Sequence, residues 1–185
     1  TFAVVGHPRI IVTAAHILYD REDLVSDPDK LTVRLRGPRY TNERRVTQII
    51  KMGEKADKVY SGQPTDRVSD WAILVLEEEF PSAEPFQLAN REEVARAEGF
   101  TGEEKQNFEL IAFHFDRELR DLNYIPDKSK GMIGLDGPQH AERFSDYFFF
   151  DSIDSRAGAS GGPIIHPKIV DENGRRKVIA MRLSE

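Results

Sequence analysis

Three short segments of this 185-residue chain carry side chains that could act together on a carbonyl group. One is Val12-Thr13-Ala14-Ala15-His16, an apolar run that enters small residues and then a histidine. The second, Asp70-Trp71-Ala72-Ile73-Leu74-Val75-Leu76, is an acid opening a continuous apolar strand, and the third is Gly158-Ala159-Ser160-Gly161-Gly162-Pro163. A serine flanked by glycines sits where the backbone can bend sharply and approach another molecule closely. Such a loop can aim the N–H groups of Gly158 and Ser160 at one point. An oxyanion hole needs that arrangement, two preorganised donors about 3 Å from a developing alkoxide. The serine hydroxyl is a poor nucleophile until a base takes its proton, and histidine suits that task near neutral pH. A buried carboxylate can then fix the imidazole tautomer and stabilise the imidazolium.

Each segment alone is weak: Ser-Gly-Gly-Pro often marks only a turn, and an acid at a strand end often serves only an ion pair. Together, in the order His, Asp, Ser, they resemble the signatures of trypsin-like serine proteases, the family of the general triad template. The separations agree: Asp70 follows His16 by 54 residues and Ser160 follows Asp70 by 90. The resemblance spans nearly the whole chain. It implies His16 as general base, Asp70 as its orienting partner and Ser160 as nucleophile, with Gly158 and Ser160 forming the oxyanion hole. It implies no cofactor and no metal, and a protein or peptide as substrate. Phe113-His114-Phe115 stands where bacterial members often close a strand.

The same resemblance bears on specificity. Asp154-Ser155 lies where trypsin-type members carry an Asp-Ser pair at the base of the primary pocket, which implies cleavage after Arg or Lys. A carboxylate in a partly desolvated slot favours a cation and rejects apolar side chains. Glutamyl endopeptidases carry an Asp-Thr pair at this offset, however, and Arg182 falls on the strand expected to wall the pocket. There it could neutralise Asp154 or receive a substrate carboxylate, so a Glu-specific peptidase stays open. Ala159 departs from the family pattern, because activatable members carry an Asp before the nucleophile. Alanine cannot pair with a buried terminal ammonium, so this chain resembles members that reach the active form without that pair. Only fifteen residues precede His16, and the family usually continues beyond the strand ending the chain. Either the protein is longer, or these parts are disordered or supplied by an additional domain or partner chain.

Two other classes compete. A catalytically idle binding module would usually have lost a triad member, and none is lost here. Gly158 to Gly162 also reads as the Gly-x-Ser-x-Gly elbow of α/β-hydrolases, but those run in the order Ser, Asp, His and alternate strands with helices.

The elements needed to position these residues are strands. Phe2 to Val5 and Arg9 to Ala15 flank Gly6-His7-Pro8, a hairpin turn signal. Leu31 to Arg36 alternates apolar and polar residues as a half-buried strand does, and Val46 to Met52 and Trp71 to Leu76 continue the series. Pro81 to Pro85 reads as a linker. Beyond it, Asn90 is placed to cap a helix over Arg91 to Ala97. Strands then follow at Phe108 to Phe115, Gly131 to Leu135, Tyr147 to Asp151, Pro163 to His166 and Val178 to Leu183, with an ambiguous charged stretch at Asp116 to Leu122. The resulting expectation is an all-β protein of two antiparallel β-barrels of chymotrypsin type with the active site in the cleft between them. Residues 1–82 would form the first barrel with His16 and Asp70, and residues 83–185 the second with Ser160 and the oxyanion loop.

Composition sets outer bounds. The net charge of −6 opposes a general nucleic-acid binder, which needs clustered Lys and Arg. Arg175-Arg176-Lys177 beside Asn173-Gly174 reads as a solvated turn, and Glu77-Glu78-Glu79 and Glu103-Glu104 as solvated faces. No apolar run is long enough for a membrane-spanning helix, so no membrane partner is expected. The chain has no cysteine, which removes disulfides and thiol chemistry and favours a bacterial cytoplasmic setting over an exported one. His7, His114, His140 and His166 show no metal-ligand spacing and read as structural or solvated.

Overall fold

In the computed structural model, the described residues are 1–20, 23–24, 30–37, 40–53, 69–80, 83–112, 127–131 and 159–183. The first half contains β1 (Ala3–Val4), β2 (Ile10–Thr13), β3 (Tyr19–Asp20), β4 (Asp23–Leu24), β5 (Thr32–Gly37), β6 (Tyr40–Met52) and β7 (Ala72–Leu76). The second contains helix α1 (Arg91–Glu98), β8 (Phe108–Ala112), β9 (Asp127–Gly131), β10 (Pro163–Val170) and β11 (Arg176–Met181). The strands form a five-stranded sheet ordered β1-β2-β7-β6-β5, a four-stranded sheet ordered β11-β10-β8-β9, and the small pair β3-β4. Every strand pair is antiparallel. Register shifts in the β6–β7 and β10–β11 ladders act as bulges that curl the sheets. The architecture is the antiparallel, all-β one the sequence leads to, with one short α-helix among the described residues.

The first sheet starts from the β1–β2 hairpin, where Gly6 takes a φ of +66° and Ile10 N–H donates to the His7 carbonyl. Alternation along β2 and β7 turns Ile11, Thr13, Ala72, Leu74 and Leu76 inward. Val4, Leu18, Val46 and Phe80 complete this core, and Phe2 stacks on Phe80 at 6.1 Å. Each large apolar side chain buried this way contributes about 1.5–3 kcal/mol. The second core gathers Phe108, Leu110, Ile164 and Ile169 around Ala97, Ala112 and Ala159. Residues 86–88 lie along both sheets: Phe86 bridges Val5 and Leu88 bridges Val178, each in parallel fashion.

Helix α1 follows its expected chemistry. Asn90 accepts from the Glu93 N–H while the Glu93 carboxylate accepts from the Asn90 N–H, a complete capping box. Other elements differ from expectation. Strand β6 begins at Tyr40, six residues before the apolar run, because it forms a hairpin with β5 on cross-strand pairs such as Arg34 with Glu43 at 2.5 Å. Strand β9 occupies Asp127–Gly131, so the strand expected over Gly131 to Leu135 shares one residue with it. Its polar sequence hides a strand that β8 pairs residue by residue. The basic triplet is not a solvated turn: Arg176 and Lys177 open β11 and pair with Glu109 at 2.6 Å and Glu93 at 2.8 Å. The expected strand Tyr147 to Asp151, the stretch Asp116 to Leu122, and His114 and His140 lie outside the described residues. Among the described residues no helix is long and apolar enough to cross a membrane.

Candidate active site

The β2–β7 ladder brings the first two candidate residues together. Thr13 pairs with Ala72, so His16, three residues further along, comes level with Asp70, two residues before Ala72. After β2 the chain turns through a short 3-10 helix at Ala15–Leu18, rather than continuing as a strand through Ala15, and His16 lies on that helix. The Asp70 carboxylate takes both bonds that this position offers. Its Oδ1 accepts from the His16 backbone N–H at 2.8 Å, and its Oδ2 lies 2.8 Å from the ring Nδ1. Asp70 is buried and His16 keeps 23% of its side-chain surface exposed. An ionised carboxylate only accepts, so Nδ1 carries the proton and the Nε2 lone pair points away from Asp70.

Asp70 is itself held from behind. Gly53 N–H donates to the Trp71 carbonyl at 3.0 Å, and Trp71 N–H donates to the Ser69 carbonyl at 2.9 Å. A Cβ at Gly53 would overlap the Ser69 backbone, so glycine is required for this close approach.

Ser160 lies half-buried in the turn entering β10. The β10–β11 register pairs Pro163 with Met181, and one step further the ladder closes on the turn. Gly161 N–H donates to the Arg182 carbonyl at 2.7 Å, Arg182 N–H to the Gly162 carbonyl at 2.9 Å, and Gly162 N–H to the Ala159 carbonyl at 2.9 Å. Gly161 adopts a φ of +80°, a left-handed conformation that glycine tolerates. The turn rests against the first sheet: the Thr1 nitrogen donates to the Ser160 carbonyl at 2.7 Å, and a Cβ on Gly161 would come 3.0 Å from the Ala14 nitrogen. The segment carrying Ser160 is thus seated on the segment that leads into His16. Ala159 is buried among the apolar residues of the second core.

The structure therefore joins His16 to Asp70, and seats the Ser160 turn against Ala14 and on the Arg182 backbone. Gly158, Asp154 and Ser155 lie outside the described residues. Thr13 and Gly53 pack against the segments of the candidate site although the sequence assigns them no role, and only Thr13 stands within one of the motifs. Among the described residues no group of three or more His, Asp or Glu side chains is placed to hold a metal ion.

No protein-family model matches the chain, and no curated protein sequence does. Among solved structures it is similar to a crystal structure of the Rv3671c protease in an inactive form, with a TM-score of 0.46 and 16% sequence identity, over 94% of this chain and 67% of that one.

Proposed function

We propose that the chain is a serine endopeptidase working through Ser160, His16 and Asp70. The observation that supports this most is the doubly bonded Asp70–His16 pair, set on the strand end against which the Ser160 turn is seated. In this reading the Ser160 oxygen adds to the scissile carbonyl carbon while its proton passes to His16 Nε2. The Nδ1–H bond to Asp70 supports the imidazolium that forms. Collapse of the tetrahedral intermediate expels the amine, which takes the proton back from His16 and leaves an acyl ester on Ser160. Water, deprotonated by the same histidine, then releases the acid.

Two readings of the residue before the scissile bond follow from different residues. Asp154 favours Arg or Lys. Arg182, tied through its backbone to Gly161 and Gly162, stands beside the Ser160 turn and favours a substrate carboxylate. Reaction with a fluorophosphonate probe, lost in Ser160→Ala, is the test of the nucleophile. A labelled Ser160→Ala chain, or an unreactive native one, overturns the reading. Fluorogenic peptides differing only in that residue decide specificity. Preference for Arg or Lys that disappears in Asp154→Ala supports the first; cleavage after Glu abolished in Arg182→Ala supports the second.

A further inference from the structure

We propose that Thr13 is a positioning residue for Ser160, acting through the Thr1 carbonyl, a role that rests on the reading of Ser160 as nucleophile. Alternation turns Thr13 into the interior, where it is 1% exposed on a strand whose other residues are Ile and Val. A hydroxyl buried this deeply needs a partner. Thr13 Oγ1 donates to the Thr1 carbonyl at 2.7 Å, and the Thr1 nitrogen donates to the Ser160 carbonyl at 2.7 Å. One side-chain hydroxyl therefore anchors the short backbone strap that grips the Ser160 peptide.

A second, steric observation points the same way. A Cβ on Gly161 would overlap both the Thr13 hydroxyl and the Thr1 carbonyl oxygen, so the left-handed turn after Ser160 rests directly on this pair. The Thr13 backbone also pairs with Ala72, two residues from Asp70, and His16 lies three residues along the chain. Thr13 thus sits where the segments bearing the acid, the base and the nucleophile meet. Valine would fill the same space but leave the Thr1 carbonyl without its donor, and a methyl would press on Gly161 where a hydroxyl now sits. Serine keeps the donor.

The experiment compares the native chain, Thr13→Val, Thr13→Ser and Ser160→Ala. It reads the rate of fluorophosphonate labelling, the thermal midpoint, and amide hydrogen exchange at Gly161 and Gly162. Misplacing a reacting group by about 1 Å can cost about 100-fold. Thr13→Val should therefore label about ten- to a hundredfold more slowly and exchange faster at both glycines, while Thr13→Ser stays within about threefold of native. Native-rate labelling with unchanged exchange in Thr13→Val overturns the proposal. If Thr13→Val does not fold, Thr13→Ser decides: near-native labelling supports the role of the hydroxyl, and a tenfold or greater loss overturns it. A native chain that fails to label overturns the nucleophile reading instead. The exchange rates in Thr13→Val then decide whether Thr13 holds the turn: faster exchange upholds it and native exchange refutes it.

Discussion

His16 follows a strand of the first sheet and His166 lies within β10 of the second, and the two rings spend their nitrogens in opposite ways. At His16 the bond to Asp70 places the proton on Nδ1 and turns the Nε2 lone pair away from Asp70. At His166 the Glu104 carbonyl lies 2.8 Å from Nε2, so the proton is on that nitrogen, and Nδ1 accepts from the Lys168 N–H at 3.1 Å. His166 is fully buried against Phe100 and Phe108, with ring centroids 4.4 and 4.7 Å away. Both of its nitrogens are used within the fold. The other buried polar side chains divide the same way among the described residues. Thr13 and Asp70 of the first half converge on the candidate site, whereas Glu109 and Asp171 of the second pair with Arg176 and Arg175. Buried polar groups of the first half thus tie together the segments of the candidate site, while those of the second tie strands and turns of the fold together.

The largest test of this contrast is to remove each histidine's partner or the ring itself. Asp70→Asn should keep the fold while lowering turnover about 10⁴-fold, because an amide no longer selects the Nδ1–H tautomer. His16→Ala and Ser160→Ala should each remove most turnover, and the double variant should lose little more, since the groups act as one unit. His166→Phe should leave turnover close to native. The measurement is kcat/KM on a fluorogenic peptide; a His16→Ala chain with near-native rate would break the comparison outright.

A smaller effect separates glycines that hold the site from glycines that only turn the chain. Gly53→Ala forces a Cβ into the Ser69 backbone, next to Asp70, and should cost about 1–3 kcal/mol of stability together with part of the turnover. Gly6→Ala meets nothing within 4 Å and carries only the strain of a φ of +66°, about 1–2 kcal/mol, with turnover unchanged. Urea unfolding and kcat measured on both variants make the distinction. Equal kcat in the two would show that Gly53 does not position Asp70.

These cases also mark how far the sequence could be read. His16, Asp70 and the Ser160 turn are legible because each sits in a short local pattern, and strand pairing brings two of them together without help from distant residues. The all-β architecture is legible from alternation and turn residues. Thr13 and Gly53 are not, because their roles depend on the Thr1 carbonyl and the Ser69 backbone, which only tertiary packing brings near. The start of β6 and all of β9 but Gly131 escape a hydrophobic pattern because their residues are mostly polar, and ladder pairing defines them. His166 reads as a strand end from sequence, yet β10 runs on to Val170 and places it mid-strand. The bulged pairing with β11 after Ile165, which the one-dimensional pattern does not encode, carries the strand past Pro167.

The smallest expected effect concerns pH and the burial of His166. Burial first, and then the nearby positive charges of Lys168 and Arg176, hold its pKa below the ordinary 6.5, against the opposing pull of the Glu104 carbonyl and carboxylate. A second proton would have to sit on Nδ1, where the Lys168 N–H already points. Below pH 6.5 the unfolded chain therefore binds a proton at this residue that the folded chain refuses. Stability then rises with pH across that window, so the contribution is fully present above 6.5 and is lost as pH falls through the lower folded value. Asp171 adds a similar slope further down: the Arg175 backbone N–H, more than its guanidinium, holds that carboxyl below 3.8, so its contribution is lost only in stronger acid. Urea midpoints at about pH 7.5 and about pH 5.5 bracket the histidine, carboxylates of ordinary pKa stay ionised at both, and the comparison with His166→Phe separates its part from that of every other group titrating between them. Native chain should lose stability between the two, and His166→Phe, which keeps the aromatic contacts and cannot titrate, should lose measurably less. An equal loss in both would place the pH sensitivity elsewhere and remove the distinction between the fully buried His166 and the partly exposed His16.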